Sequence, residues 1–352
     1  MFACSADGSD ERRLTRVNET FFATVELSEP EETWLPSASD DRRPIYAWIL
    51  KPVGFREGVR YPLVLEIHGG PHAMYSNVYF HEFQLLAAQG YVVLYPNPRG
   101  SQGYGQQFLS STRCAWGEAD MPDLMGALDA ALAPGYVDPH LLGVTGGSYG
   151  GFLTNWLIGH SDRLKAAVTQ RSVSNLISFD GTSDIGFHFA EHEIGGTPWE
   201  EPERYRRLSP LTDAPQMTTP LLILHSEQDY RCPIEQAEQL FVWLKKLGRT
   251  VGSSASRTRA TVSRARASPS TGSSGSSTSC TGSPCTSSRR SRGPAEPASG
   301  YESTRRAPRA RTARDGRKRR RTGRRRFCHS AHNPQARWGT GSSAVRAWFA
   351  AP

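Results

Sequence analysis

The chain has 352 residues, and its net charge of +8 is the sum of two unlike parts: residues 1–250 hold 20 basic and 31 acidic side chains, residues 251–352 hold 22 basic and 3 acidic. There is no run of about 18 apolar residues, and the start MFACSADGSDERR lacks the basic-then-apolar pattern of a signal peptide, so neither a membrane span nor export is expected and a cytoplasmic protein is. The six cysteines (Cys4, Cys114, Cys232, Cys280, Cys285, Cys328) are scattered, as free thiols are; Cys280, Cys285 and Cys328 with His329 and His332 form no CxxC-type pair, so no metal and no other cofactor is expected.

Short apolar runs at 44–50, 61–68, 91–95, 141–145, 165–169 and 220–225 predict strands, several of them continuous Val/Ile/Leu such as LVLEI and LLIL, which suits strands buried on both faces. Between them, 81–89, 122–133, 149–158 and 234–247 carry apolar residues at helical spacing; Asp123 and Pro233 lie near starts, and Gly248 is a stop signal. This alternation predicts an α/β fold, a doubly wound, mostly parallel sheet whose chemistry lies at the carboxyl ends of the strands. Residues 251–352 contain not one Leu, Ile or Met and are rich in Ser and Arg, so they cannot bury enough apolar area to offset their ordering entropy and are expected to be disordered as written.

After the strand LLGVT comes Gly146-Gly147-Ser148-Tyr149-Gly150-Gly151 and then the helical run FLTNWLI. Gly-x-Ser-x-Gly between a strand and a helix is a nucleophile elbow, in which small neighbours permit a strained turn that lifts the serine hydroxyl above the sheet. A plain glycine turn would not need that context, and a phosphate loop would need Lys-Ser/Thr after the glycines. Ser148 requires a base, and the oxyanion formed by its attack requires two donors. The Tyr149 N–H is one; His68-Gly69-Gly70-Pro71, directly after LVLEI, offers the other from Gly70, with Gly69 as alternate. His68 and His72 are read as shaping that loop. An acid follows the strand LLILHSEQD: Asp229 rather than Glu227, with capping of the next helix as its competing role.

The strings HGGPHAMY, PNPRGSQGYG, GVTGGSYGGFLTNW, AAVTQRSVSN, GTSDIG, GGTPWEEPERY, SPLT and PLLILHSEQDYRCPIEQAEQLF together resemble the catalytic domain of the prolyl oligopeptidase family of serine peptidases, of the acylaminoacyl-peptidase type. The resemblance implies an α/β-hydrolase domain over 40–251 and hydrolysis of short, often N-blocked peptides. Ser148 attacks, Gly70 and Tyr149 hold the oxyanion, and Asp229 orients a histidine base. Family members usually carry a β-propeller ahead of this domain, and RRLTRVNETFFATVELSEPEE makes 1–39 resemble a propeller remnant and linker. Peptides are the expected partners, with no membrane and no nucleic acid; self-association into a homo-oligomer is left open.

The family's histidine segment and closing helix have no counterpart after Val251, and His329 and His332 lie in an Arg-rich tract. If one nucleotide is inserted just after the Val251 codon, the bases compatible with GSSASRTRATVSRA also permit EFRFPDEGHGLSR, and those of residues 266–283 permit SGKPxHRLERLEHILxWF. The tail holds 21 Arg and a single Lys, Lys318, as out-of-frame translation of GC-rich DNA would give. Residues 252–352 are therefore read as a frameshifted C-terminus, and the chain as written as an impaired peptidase without its triad histidine. The alternatives are an esterase on the same fold, because an elbow alone does not choose between ester and amide, and an inactive remnant whose block ARTARDGRKRRRTGRRR binds nucleic acid.

Overall fold

A computed structural model describes residues 1–256. Its main sheet has eight strands: β1 (Pro30–Pro36), β2 (Pro44–Leu50), β3 (Tyr61–Ile67), β4 (Val92–Asn97), β5 (Val137–Gly147), β6 (Ala166–Gln170), β7 (Leu221–Ser226) and β8 (Val251–Ser256). Their spatial order is β8-β7-β6-β5-β3-β4-β2-β1, with parallel pairing from β8 to β4 and antiparallel pairing at β4–β2 and β2–β1. A separate two-residue ladder joins Phe2–Ala3 to Arg12–Arg13.

The continuous apolar runs are buried on both faces, as their composition requires. Leu63, Leu65 and Ile67 of β3 point into one core with Val144 of β5, whereas Val64 points into the other. The first core is covered by α2 (Met121–Leu132), α3 (Tyr149–His160) and α4 (Glu235–Lys246); the second packs Phe83, Leu86 and Ala87 of α1 (His81–Ala88) against Trp48, Val93 and Tyr95. Helix α3 is buried almost throughout, which fits its lack of a polar face. Two parallel pairings set the site. Ile67 aligns with Gly146, and Gly147 aligns with Gln170, so the ends of β3, β5 and β6 lie side by side.

All six expected strands and all four expected helices are present, as is the doubly wound, mostly parallel sheet. The sheet overruns the expected boundaries of 40 and 251. Pro30–Pro36 pairs residue for residue with Pro44–Leu50, so part of the segment assigned to a propeller remnant and linker belongs to the sheet. At the other end Val251–Ser256 keeps parallel register with Leu221–Ser226 through backbone pairing, which makes no demand on side chains. Between β6 and β7 lie short helices at Leu176–Thr182, Gly186–Ala190 and Pro202–Arg207 and a π-helical turn at Glu191–Gly195. Among the described residues no helix is long and apolar enough to cross a membrane. Among the described residues Cys4 and Cys114 form no disulfide. The expectations for 257–352, including the arginine block, the absence of a metal site at Cys280, Cys285, Cys328, His329 and His332, and most of the segment read as frameshifted, lie outside the described residues.

Candidate active site

Ser148 joins β5 to α3 with φ 60° and ψ −119°, a backbone conformation that a non-glycine residue holds only when its surroundings enforce it. The enforcement is close packing. A Cβ on Gly150 would lie 1.9 Å from the Ile67 carbonyl oxygen, so only glycine lets the first turn of α3 press against the end of β3. The Ser148 N–H donates to the Gln170 carbonyl at 3.0 Å, which ties the turn to β6 as well.

The loop after β3 faces this serine. A Cβ built on Gly69 would be 3.3 Å from Ser148 Cβ and 3.9 Å from its Oγ, and Gly70 has φ +132° with His72 N 2.5 Å from where its Cβ would be. Among the described residues neither the Gly70 nor the Tyr149 N–H donates a hydrogen bond, and Tyr149, as the first residue of α3, has no intrahelical acceptor. Both amides are therefore free to serve an anion. His68 is buried and bound at both ring nitrogens, Nδ1 to the Gly69 carbonyl and Nε2 to Ser101 Oγ, each at 2.8 Å. Burial lowers its pKa to about 4. His72 is likewise held between the Gly100 carbonyl at 2.9 Å and Glu193 at 3.1 Å.

Asp229 lies in the turn after β7 and is 2% exposed, while Glu227 is exposed. Its Oδ1 accepts from the N–H groups of Arg231 at 3.1 Å and Cys232 at 3.0 Å. Cys232 connects the acid to the serine, because its Sγ is 3.7 Å from Ser148 Oγ. His225 Nε2 closes the same turn on the Cys232 carbonyl at 2.6 Å. Ser148, Asp229 and the glycine loop thus converge at the carboxyl ends of β5, β7 and β3. Among the described residues no histidine nitrogen lies within hydrogen-bonding distance of Ser148 Oγ.

Two further residues of the site are absent from the sequence reading. Cys232 could have been suspected, since an Asp three residues earlier in a turn commonly accepts from the backbone ahead of it. The second, Asp120, had no signal. It is fully buried and accepts a short hydrogen bond from the Tyr149 hydroxyl, while its Oδ1 has no hydrogen-bond partner among the described residues, so it anchors the side chain of the residue that follows Ser148. Burial pushes the Asp120 carboxyl up to about 7, with the Tyr149 hydrogen bond opposing. In the unfolded chain that carboxyl ionises at its ordinary, lower value. Between that value and about pH 7 only the unfolded state has lost the proton, so stability falls as pH rises. Urea unfolding across this range should give a difference between wild type and Asp120→Asn that changes by up to about 1.4 kcal/mol per pH unit, with wild type losing ground as pH rises. A flat difference would mean that Asp120 is ionised throughout.

A family model described as the prolyl oligopeptidase family matches residues 77–255, which is half of the chain. The chain belongs to the prolyl oligopeptidase family. It is 51% identical over 243 residues to the uncharacterized peptidase YuxL of Bacillus subtilis, covering 69% of this chain and 37% of that protein. Dipeptidyl-peptidase 5 of Schizosaccharomyces pombe is 34% identical, over 57% of this chain and 30% of the relative. Among solved structures, Pyrococcus horikoshii acylaminoacyl peptidase superposes with a TM-score of 0.69 at 36% identity, over 73% of this chain and 41% of the other. The chain thus spans about a third of the length of the curated relatives it matches. The α/β-hydrolase fold expected from the sequence is the one these family members share.

Proposed function

We propose that the chain is a serine-type peptidase acting on short peptides through an acyl-enzyme on Ser148. The observation that carries the reading is the strained elbow at Ser148, which faces the Gly69-Gly70 loop and is linked through Cys232 to buried Asp229. In this reading Ser148 Oγ attacks the scissile carbonyl carbon and its proton passes to a base. The Gly70 and Tyr149 amides stabilise the oxyanion. Collapse of the tetrahedral intermediate breaks the C–N bond as the leaving amine takes the proton, and water then releases the acid from the serine.

Asp229 can orient an imidazole, but the described residues supply none at Ser148 Oγ, so activity of the chain as written is expected to be impaired. The names of the relatives, acylaminoacyl peptidase and dipeptidyl-peptidase 5, favour small peptides, blocked or free at the N-terminus.

The test offers N-acetylated peptides, free dipeptide amides and the matching esters to the chain and to Ser148→Ala. Peptide hydrolysis that disappears with the serine hydroxyl is the expected result. Turnover of esters alone would point to an esterase, and peptide turnover surviving Ser148→Ala would end the proposal.

A further inference from the structure

Beside Ser148 opens a cleft of about 740 Å³ whose inner wall is formed by the end of β3 and the start of α1. Its chemistry is not that of an apolar pocket. Glu66, flanked by Leu65 and Ile67 in the middle of the sheet, lines the cleft at 3% exposure, and its Oε1 has no hydrogen-bond partner among the described residues. A buried carboxyl oxygen without a donor is rare in folded proteins, because it loses its water and gains nothing in return. Glu82 lies beside it and accepts from Gln170 Nε2 at 2.9 Å. The nearby cation does not resolve this: Arg171 packs its guanidinium over Gly147, and its Nη1 reaches Gln170 Oε1 at 3.5 Å rather than either carboxylate. Three aromatic rings, Tyr75, Phe80 and Phe83, complete the wall.

We infer that this cleft is a cation subsite, which receives the guanidinium or ammonium group of a peptide side chain on Glu66, with Glu82 as the second carboxylate. A guanidinium brings several N–H donors in a plane that matches carboxylate oxygens, and aromatic faces attract the same charge. The inference deepens the peptidase reading, since the cleft also borders Ser148 and Gly70. It gives that reading a preference for substrates carrying a basic residue.

Binding should also depend on pH. The titratable or charged groups facing Glu66 are Glu82 and His81 on α1, Tyr75 and His68 on the glycine loop, and Arg171 after β6. Burial, followed by the charge of Glu82, holds the Glu66 carboxyl well above the usual carboxylate range, with Arg171 opposing. An incoming cation favours the ionised form, so binding expels a proton and affinity rises with pH.

The experiment titrates the full chain with N-acetyl-arginine amide by calorimetry, with N-acetyl-norleucine amide as an uncharged partner of similar reach. Saturable binding of the arginine compound alone, weakened about ten-fold or more by Glu66→Gln or by the less buried Glu82→Gln, is the expected result. No binding, equal binding of both compounds, or affinity unchanged in both variants would overturn it. The readout is binding, so it is distinct from whether Ser148 turns peptides over. A second arm repeats the titration with the arginines and lysine of residues 310–326 changed to glutamine. Unchanged affinity assigns the cation to an incoming peptide, and a gain on removal of these charges would overturn that assignment.

Discussion

Restoring the alternative reading frame after Val251 is expected to raise hydrolysis of an N-acylated peptide amide by roughly 10⁴- to 10⁶-fold over the chain as written, the scale on which loss of a triad member suppresses a serine hydrolase. The reason is local. Ser148 Oγ has Cys232 Sγ at 3.7 Å, and a thiol buried beside it is no substitute for an imidazole that must take and return a proton. Asp229 remains buried, with its Oδ1 held by two backbone N–H groups, so what the restored segment has to add is the base. Labelling by a fluorophosphonate should rise in parallel and vanish from the restored protein with Ser148→Ala. Equal labelling of the two forms would mean that another group activates Ser148, and the frameshift account of 252–352 would lose its functional support.

The largest loss of stability from a single methyl group should come from Gly150→Ala. Its Cβ would lie 1.9 Å from the Ile67 carbonyl oxygen and 2.7 Å from the Ile67 carbonyl carbon, both backbone atoms of a central strand that cannot rotate away. Either β3 shifts, taking the glycine loop with it, or α3 tilts and relaxes the Ser148 turn. We expect a cost of about 3–5 kcal/mol in chemical unfolding, at the upper end of what overpacking produces. Gly181→Ala is the control. Nothing lies within 4 Å of its Cβ position, and it should fall within about 1 kcal/mol of wild type, on the stabilising side. Similar costs for the two would show that the elbow region repacks freely.

Most of the sheet and the strained turn at Ser148 could be read from the sequence because both are written in local pattern. The runs LVLEI and LLIL, and glycines spaced around Ser148, have one physical use each: a strand buried on both faces, and a turn too tight for side chains. Pro30–Pro36 could not be read that way. PEETWLP has prolines at both ends and exposed glutamates, the composition of an edge strand, which differs little from that of a linker. VGSSAS of β8 has no strand signal at all, and the short helices between β6 and β7 are each too brief for periodicity to emerge. The site divides in the same way. Ser148, Asp229 and Gly70 follow from their motifs, whereas the Asp120–Tyr149 anchor and the solitary Glu66 carboxyl arise where distant segments meet.

Strand β8 carries six residues of which only Val251 is buried, yet every one keeps its partner in β7, and the Ser256 carbonyl accepts from the Glu227 N–H at 2.9 Å, two residues before the acid. The pairing is made by peptide groups, which any codon supplies. A change of reading frame at this point would therefore alter the side chains that follow while leaving the β7–β8 pairing in place. Far-ultraviolet circular dichroism would see the strands of residues 30–256 in both forms, whereas peptide hydrolysis and fluorophosphonate labelling separate them.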